Sequence, residues 1–393
     1  MNLFFSAGEP SGDQHAAGVI RELQRRDPNF RCSGFGGPDM QAAGMHCLYP
    51  LTELAVMGFV GVAPLLAKFH RLYRQAREFL KSERPDGVVL VDFPGFNWWI
   101  AKAARDADVP VFFYCPPQMW AWAGWRIHKM RRLVDCVLSV LPFEAEWYRD
   151  RGMDVEYVGH PFFDEVAEHP LDPHAVAAIR DTAPFQVGVL PGSRKQEVNR
   201  NFPLMLEMIE NLSQQYPHVR FPVACYKEWH RIRCAELMTE HGKQLPIDLH
   251  VGETPEVIEA SDCCLIVSGS VSLELLARRT PAVVMYKAGW LTYWIARTMG
   301  TCDYISLPNL IANRPLMPEF PFHKPSKTLM SRMEGILAHW IAKPDSLDTA
   351  RRDLTTLADG IVEAGGVSRA AEVLCQRLSV SRPVQATPLR KAA

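Results

Sequence analysis

The sequence has no excess of charge of either sign. Its 43 lysines and arginines face 44 aspartates and glutamates, which gives a formal net charge of -1. Nucleic-acid-binding domains normally carry a basic excess, so that class is excluded. At 48% hydrophobic and 22% charged residues the chain is too apolar to be intrinsically disordered. Its 393 residues predict two globular domains.

Paired cysteines and long apolar runs are also absent. No two of the ten cysteines have C-x-x-C spacing, which excludes a zinc ribbon and a thioredoxin-type motif. We expect buried thiols in a reducing compartment. The N-terminus MNLFFSAGEPSGD lacks the basic region of a signal peptide. No apolar run approaches the roughly 20 residues that span a bilayer. These features predict a cytoplasmic protein whose membrane contacts are peripheral.

Short β-type runs alternate with helical stretches along the chain. This alternation predicts βαβ units and parallel sheets. Predicted strands of a first series cover residues 2–5, 32–35, 87–92, 109–114 and 136–140, and those of a second series cover 185–194, 219–225, 247–252, 263–270 and 281–286. The Pro- and His-rich residues 159–176 predict a linker. We therefore expect two doubly wound, Rossmann-like α/β domains facing a cleft, over 1–165 and 174–365.

Ligands of open α/β sheets bind beyond the carboxyl ends of the strands, so each strand-to-loop junction is a candidate site. The first junction is the loop SAGEPSGD, with Glu9, Ser11 and Gly12 as candidate substrate contacts. Amide groups that open the next helix suit an anion or sugar oxygens. A plain βα turn capped by Ser11 or Asp13 is the alternative.

The second junction, VDFPGFN, places a carboxylate at the end of a buried strand. An acid there is costly unless it is paired or functional, so Asp92 is the candidate general base. Glu9 and His15, near the first loop, are rival bases. A structural carboxylate that accepts backbone N–H bonds is the alternative.

Two junctions of the second series have the features of anion sites. In LPGSR, residues Gly192, Ser193 and Arg194 open a helix beside a fixed cation. The loop lacks a Walker lysine, so ATP hydrolysis is not expected. The alternative is a capped helix with a solvated arginine.

The other such junction is SGSVSLE, which also begins a helix. Ser268, Gly269 and Ser270 supply N–H groups for a phosphate, and Glu274 is one turn further on, within reach of ribose hydroxyls. A helix cap followed by a first-turn acid is the alternative.

An apolar stretch at 56–66 leads into Lys68, His70, Arg71 and Arg74. Apolar residues followed by cations are typical of a segment at the interface of an anionic membrane. Tryptophans at 98, 99, 120, 122 and 125 accompany it, although core packing is the better interpretation for isolated aromatics.

These junctions, together with other motifs, resemble lipid-A-disaccharide synthases over nearly the whole chain. The shared motifs are SAGEPSGD, ELAVMGFVGV, VDFPGFN, WAW, LPFE, GHP, VLPGSR, SGS followed by LE, and DYISLPNLIANR. The resemblance implies a GT-B fold, UDP-2,3-diacylglucosamine as donor and 2,3-diacylglucosamine 1-phosphate as acceptor. The implied products are a β-1,6-linked disaccharide 1-phosphate and UDP. It also implies that no cofactor or metal is needed, that the chain forms a homodimer, and that a helix at about 368–378 returns to the first domain.

The resemblance also implies roles for single residues. Asp92 would be the base, Arg194 would contact the diphosphate, and Glu274 and Asn309 would contact the nucleotide. Three departures from the family pattern bear on acceptor fit: Gly95 stands where a second aspartate is usual, PPQMWAW replaces SPSVWAW, and Pro321-Phe322 replaces Leu-Gln.

Two other function classes stay open at this stage. A UDP-GlcNAc 2-epimerase shares the GT-B architecture but needs no lipid-facing surface, so membrane affinity discriminates the two. A non-catalytic nucleotide-sugar or lipid-binding protein is the third possibility. Intact Asp92 and Arg194 argue against it, whereas Gly95 is compatible with it.

Overall fold

A computed structural model of the chain describes residues 1–56, 62–289 and 302–380. The chain divides into two units. Unit 1 contains Met1–Asp164 and the segment that begins at Ala364, and unit 2 contains Glu165–Glu363. Each unit is built around one parallel sheet.

Unit 1 contains a seven-stranded sheet with helices between the strands. The strands are β1 (Asn2–Ala7), β2 (Arg31–Gly36), β3 (His46–Pro50), β4 (Gly87–Val91), β5 (Val111–Tyr114), β6 (Cys136–Ser139) and β7 (Val155–Tyr157). The helices are α1 (Pro10–Arg26), α2 (Pro38–Ala42), α3 (Thr52–Val56), α4 (Val62–Glu83), α5 (Pro94–Arg105), α6 (Met119–Trp122), a 3₁₀ turn (Gly124–Arg126), α7 (Ile127–Leu133) and α8 (Pro142–Arg149). Helix α9 (Pro161–Glu168) crosses the boundary into unit 2.

The sheet order of unit 1 is β3-β2-β1-β4-β5-β6-β7, with every pairing parallel. The order reverses between β1 and β4, and such a switch point is where doubly wound sheets bind ligands. All five residues of β4 are buried, as expected for a strand covered by helices on both faces.

Unit 2 contains a six-stranded sheet. Its strands are β8 (Phe185–Leu190), β9 (Val219–Cys225), β10 (Ile247–Val251), β11 (Cys263–Val267), β12 (Ala282–Lys287) and β13 (Glu319–Phe322). Its helices are α10 (Pro173–Arg180), α11 (Lys195–Gln215), α12 (Glu228–His241), α13 (Thr254–Ala260), α14 (Val271–Ala277), α15 (Leu307–Ala312), α16 (Lys327–Ala342) and α17 (Pro344–Ile361).

The sheet order of unit 2 is β10-β9-β8-β11-β12-β13, again with parallel pairings. Its switch point lies between β8 and β11, and β11 is buried throughout. Two doubly wound sheets confirm the predicted fold class. The four junctions chosen from the sequence follow β1, β4, β8 and β11, the strands at the two switch points.

The segment predicted as an interdomain linker contains the boundary between the two units, and it is largely helical rather than irregular. Helix α9 begins at Pro161 and α10 begins at Pro173. Proline has no N–H to donate, and the first turn of a helix needs none, so proline there starts a helix rather than breaking it. Asp172 caps α10, since its side chain accepts from the His174 N–H at 2.8 Å.

Helix α18 (Gly366–Val380) packs against α1 in unit 1. The Asp164 carboxylate accepts the N–H groups of Gly365 and Val367, where the chain re-enters the unit. Arg377 forms ion pairs with Asp154 at 2.6 Å and Glu156 at 2.7 Å. Within the described ranges, no helix combines the length and apolar character that a bilayer crossing requires.

Candidate active site

The switch point of unit 1 aligns four residues along one edge of the sheet. Ala7 pairs with Val91, Val91 with Tyr114, and Tyr114 with Leu138. The residues that follow are therefore neighbours at the carboxyl edge: Gly8, Asp92, Cys115 and Ser139. This is the edge at which α/β sheets bind ligands.

Asp92 has an unusual backbone conformation. Its φ is +49°, and that of Phe93 is +45°, which places two successive residues with side chains in the left-handed region. Asn97, fully buried in α5, donates from Nδ2 to the Asp92 carbonyl at 2.8 Å and to the Val91 carbonyl at 3.2 Å. Its Oδ1 accepts from the Ser6 hydroxyl at 2.6 Å. Local strain maintained by surrounding bonds is typical of functional sites.

The Asp92 carboxylate is half-buried and accepts the Phe93 N–H at 3.0 Å. Burial raises the pKa of Asp92, while its hydrogen bond to Phe93 and the nearby His15 act in the opposite direction. A Cβ on Gly12 would lie 3.6 Å from the Asp92 Cβ, so the first turn of α1 adjoins this carboxylate. A half-buried acid with an elevated pKa suits general-base chemistry.

The first loop differs from the predicted cap. Helix α1 begins at Pro10, and the preceding Glu9 is half-buried, while Ser11 is exposed. Neither Ser11 nor Asp13 caps this helix. Asp13 is buried and accepts N–H groups at the start of α2, from Gly37 at 2.7 Å and Asp39 at 3.0 Å. The sequence could not show which helix start this carboxylate would cap.

His15 lies near Asp92, and His160 lies beside His15. The rings of His15 and His160 meet edge to face with centroids 5.9 Å apart. Burial, and then the charge of His15, lower the pKa of His160 to about 3. His160 is therefore neutral, and its Nδ1 accepts the Phe162 N–H at 3.2 Å. His15 adjoins the candidate base, which makes it a candidate electrostatic partner as well as a rival base.

Glu144, which the sequence analysis did not select, lies near the same edge. It is 1% exposed and accepts from Trp120 Nε1 at 3.1 Å and from the Ser139 hydroxyl at 2.8 Å. Burial raises the pKa of Glu144 to about 7, and the charge of Asp92 adds to the rise. In sequence Glu144 looks like an ordinary first-turn acid of α8. The available signal was its position in the first helical turn after an apolar strand.

In unit 2, the loop after β8 is held from both sides. Gly192 has φ +111°, and a Cβ there would lie 2.6 Å from Glu197 Cβ. The Glu197 carboxylate accepts the N–H groups of Ser193 at 2.9 Å and Arg194 at 3.1 Å. The Ser193 carbonyl accepts from His230 Nε2 at 2.8 Å, because His230 Nδ1 accepts the Lys227 N–H.

These contacts refine the predicted phosphate cradle. Two of its amides already bond to Glu197, so an incoming phosphate would have to displace that carboxylate. The Arg194 side chain is 81% exposed, with a contact of 3.4 Å to Glu197. A solvated cation at a switch point can still bind a diphosphate.

The loop after β11 leaves its helix start accessible. Gly269 and Ser270 are exposed, Ser268 is half-buried, and a Cβ on Gly269 would meet nothing within 4 Å. Glu274 lies inside α14, 8% exposed, and its carboxylate pairs with Arg278 Nε at 3.2 Å. Burial raises the pKa of Glu274, and Arg278 opposes the rise. Contact with ribose hydroxyls would have to compete with this ion pair.

Asn309, which was predicted to contact the nucleotide, has its hydrogen-bonding groups occupied within unit 2. It is fully buried in α15, and its Nδ2 donates to the Met317 carbonyl at 2.7 Å and to Glu319 Oε2 at 3.0 Å. Its Oδ1 accepts the N–H groups of Leu316 and Met317, each at 2.8 Å. An amide side chain has two donor hydrogens and two acceptor lone pairs, so none is left for a nucleotide. Asn309 is a structural anchor.

Two of the sequence departures have simple local explanations. Pro321 is exposed on β13, which is an edge strand, and proline is tolerated there because no neighbouring strand needs its N–H. Gly95 is exposed in the first turn of α5, where a Cβ would meet no atom of the described residues within 4 Å. A side chain at this position would project into open space beside Asp92.

The predicted interfacial stretch 56–66 lies mostly outside the described residues and side chains. Three large apolar side chains of unit 1 are exposed: Leu66 on α4 at 58%, Trp99 at 47% and Trp125 at 71%. Among the described residues, no group of three or more His, Cys, Asp or Glu side chains is arranged to hold a metal ion.

Two doubly wound sheets with polar switch points define a GT-B protein. The calicheamicin glycosyltransferase CalG4 superposes with a TM-score of 0.60, at 15% identity, over 97% of this chain and 99% of that one. A putative UDP-N-acetylglucosamine 2-epimerase from Listeria monocytogenes superposes with a TM-score of 0.64, at 11% identity, over 97% of each chain. Because both transferases and epimerases match, the likeness shows the fold and leaves the reaction open.

Sequence similarity identifies the family. A family model described as lipid-A-disaccharide synthetase matches residues 3–337. The lipid-A-disaccharide synthase of Pseudomonas putida is 38% identical over 313 residues, which are 80% of this chain and 83% of the relative. The lipid-A-disaccharide synthase of Geobacter sulfurreducens is 32% identical over 377 residues, which are 96% of this chain and 97% of that relative. The chain belongs to the lipid-A-disaccharide synthase family, and it is a glycosyltransferase of lipid A biosynthesis.

Proposed function

We propose that this enzyme transfers 2,3-diacylglucosamine from UDP to 2,3-diacylglucosamine 1-phosphate. The products are a β-1,6-linked tetraacyl disaccharide 1-phosphate and UDP. The family supports this substrate pair. The observation that carries the chemistry is Asp92, a half-buried acid of elevated pKa in a strained backbone at the switch point of unit 1.

In the proposed mechanism Asp92 is the general base. The 6-hydroxyl of the acceptor attacks the anomeric carbon of the donor and gives its proton to the Asp92 carboxylate. The bond between that carbon and the diphosphate oxygen breaks at the same time, and UDP leaves. One direct displacement on an α-linked sugar inverts the centre and yields the β product without a glycosyl-enzyme intermediate.

Unit 2 is proposed to bind the donor. Negative charge grows on the β-phosphate as UDP leaves, and Arg194 with the amides of the 268–270 loop would stabilise it. The exposure of Arg194 and Gly269 supports this role. Glu274 is proposed to contact the ribose from the first turn of α14. Ser11, Gly12 and Glu9 are proposed to line the acceptor side in unit 1.

The decisive experiment incubates the purified protein with both acylated glucosamines and detects disaccharide by mass spectrometry. The proton coupling at the new anomeric carbon then reports its configuration, and we expect a β linkage. A parallel reaction with UDP-GlcNAc alone tests for 2-epimerisation. Epimer without disaccharide, or an α-linked product, would contradict the proposal.

We also propose that the enzyme binds the inner membrane peripherally and forms a homodimer. Unit 1 carries exposed Leu66 and Trp125, and α7 presents exposed Lys129, Arg131 and Arg132 without an acidic residue. Burying one such apolar side chain contributes roughly 1.5–3 kcal/mol, and basic residues add attraction to anionic lipid.

The homodimer proposal is tested by light scattering, in which the purified protein should give twice the mass of one chain.

The membrane proposal predicts that Leu66→Ser combined with Trp125→Ser releases the protein from vesicles that contain anionic lipid. Co-sedimentation measures the bound fraction, and circular dichroism checks the fold. Tyr226→Ser is the matched control, since Tyr226 is similarly exposed but lies in unit 2. If the control loses binding equally, or the double variant loses none, the assignment of membrane binding to these residues of unit 1 is wrong.

A further inference from the structure

The segment between β5 and α7 lies next to Asp92 in the sheet register. Cys115, which follows β5, is the neighbour of Asp92 along the carboxyl edge. Residues 116–122 continue from it as PPQMWAW, one of the segments in which this chain departs from its family. Gln118 is exposed, whereas Pro116, Pro117 and Trp120 are buried. How this segment is held therefore affects the surface beside the base.

Helix α8 holds the segment at three points. Glu144 accepts from Trp120 Nε1 at 3.1 Å, and Tyr148 donates its hydroxyl to the Pro117 carbonyl at 2.6 Å. The Phe143 ring meets the Trp120 ring edge to face, with centroids 4.8 Å apart. Helix α8 thus fixes the indole of the segment from its first turn and the backbone from its last turn.

Holding the Trp120 indole with a buried carboxyl group is energetically costly. Glu144 is 1% exposed, and burying an ionised acid costs several kcal/mol unless hydrogen bonds compensate. A glutamine would also accept the indole N–H, although as a neutral and weaker acceptor. The Ser139 hydroxyl does not need a carboxylate either, because it can donate to the Leu141 carbonyl at 3.1 Å instead. Packing alone does not require an acid at this position.

We propose that Glu144 is a positioning residue of this active site: through Trp120 it fixes the 116–122 segment beside Asp92 and so determines how the acceptor is held. The proposal rests on the function proposed above. A hydrogen bond to a carboxylate is roughly twice as strong as one to a neutral group, so the ionised form of Glu144 holds the indole more firmly.

The strength of this hold depends on pH. Burial together with the charge of Asp92 raises the pKa of Glu144 to about 7, while bonds from Ser139, Trp120 and the Val140 N–H oppose the rise. The neutral Tyr148 hydroxyl also faces this carboxyl. Trp120 is therefore held by a carboxylate above neutral pH and by a carboxylic acid below it.

A double-mutant cycle in acceptor kinetics tests the proposal. Glu144→Gln keeps the shape and the neutral bond, and Trp120→Phe keeps an aromatic ring without the N–H. We expect each to raise the acceptor KM about 3–10-fold at pH 8 with little change in the donor KM, and the double variant to be no worse than either, because coupled residues are non-additive. Glu146→Gln, an exposed acid on the same helix, is the control. Additive losses, or an unchanged acceptor KM, would overturn the proposal.

A second measurement does not depend on catalysis. In protein labelled with ¹⁵N-tryptophan, the Trp120 indole signal is identified by its loss in Trp120→Phe. We expect this signal to shift between pH 5.5 and 8.5 in the unmodified chain and to be insensitive to pH in Glu144→Gln. A signal that never shifts, or that still shifts in Glu144→Gln, would refute the link between Glu144 and Trp120. If this link is confirmed in a protein that forms no disaccharide, the proposed function has failed and not the contact.

Discussion

The two switch points have the same topology and opposite chemistry. In unit 1 the edge carries acids and histidines that are buried or half-buried: Asp92, Glu144, His15 and His160. In unit 2 the corresponding loops present exposed Arg194, Gly269 and Ser270. Burial raises the pKa of Asp92 and of Glu144 and lowers that of His160. The solvated hydroxyl, amide and guanidinium groups of the loops in unit 2 instead suit anion binding. The same sheet pattern thus presents buried or half-buried titratable groups in one unit and exposed polar and cationic groups in the other.

The contrast extends to the backbone. Asp92, Phe93 and Cys115 all have φ between +45° and +49°, and they stand on two neighbouring strand ends of unit 1. In the two loops of unit 2, a comparable conformation occurs at Gly192, where no Cβ is strained. Among the described residues, the switch-point loops of unit 1 therefore place side-chain-bearing residues in the left-handed region, and the two loops of unit 2 do not.

Asp92→Asn should produce the largest effect. Losing a positioned base costs about 10²–10⁴-fold in rate, while the fold and UDP affinity, measured by calorimetry, should persist. Glu9→Gln is the companion variant, since Glu9 is the rival base on the adjoining loop. If Asp92→Asn turns over near the normal rate while Glu9→Gln or His15→Leu does not, the base is misassigned.

Arg194→Ala should come next, with a loss of about 10²–10³-fold in rate, the scale for one preorganised charge-stabilising donor. Arg194→Lys is the matched control and should recover part of this, because a point charge remains without the planar guanidinium. Steady-state kinetics measures both. Full activity of Arg194→Ala, or loss of normal activity in EDTA with rescue by magnesium, would argue against charge stabilisation by this arginine.

His15→Leu should have a smaller effect that depends on pH. The positive charge of protonated His15 lowers the pKa of Asp92, so its removal lets that pKa rise further. Because the base must be ionised, the acid limb of kcat/KM should move to higher pH, with a greater loss at pH 6 than at pH 8.5. Gln14→Ala, the exposed neighbour, should leave the profile unchanged. A pH-independent loss as large as that of Asp92→Asn would make His15 the base.

Gly95→Asp should have the smallest effect. The new side chain meets open space, and an acid in the first turn of α5 is favoured by the helix dipole, so the unfolding temperature should hold or rise slightly. We expect the rate to change less than about tenfold. Combining it with Asp92→Asn sharpens the comparison, since recovery of activity would show that this edge accepts a base at either position.

The sequence predicted the central strands of both sheets well and the outer strands poorly. Apolar runs predicted strands such as β4, β9 and β11 to within a few residues, because strands covered on both faces must be continuously apolar. It missed the outer strands β3, β7 and β13, which are short or contain proline. The Pro-rich segment 159–176 was predicted to be a linker, although its prolines at 161 and 173 begin helices.

Within the site, position along the chain was predictable and the partners of each side chain were not. Strand ends were enough to select Asp92 and the loops at Gly192 and Ser268. Asn309 was predicted to contact the nucleotide and Asp13 was a candidate cap of α1, yet Asn309 bonds to Leu316, Met317 and Glu319 and Asp13 caps α2 instead. Glu144 was missed for the converse reason, since its burial is a product of tertiary packing.

The return of α18 to unit 1 has a consequence for biosynthesis. Unit 2 occupies Glu165–Glu363, and the residues that complete unit 1 follow at Ala364. A ribosome therefore finishes every residue of unit 2 before it makes the helix that packs on α1, so the usual N-terminal-first order of domain folding is inverted. Until α18 emerges, its binding surface on α1 is uncovered and Asp164 lacks the N–H groups that bind it. Unit 1 is therefore incomplete for about half of the synthesis of the chain. During this interval its uncovered surface on α1 is available to a chaperone.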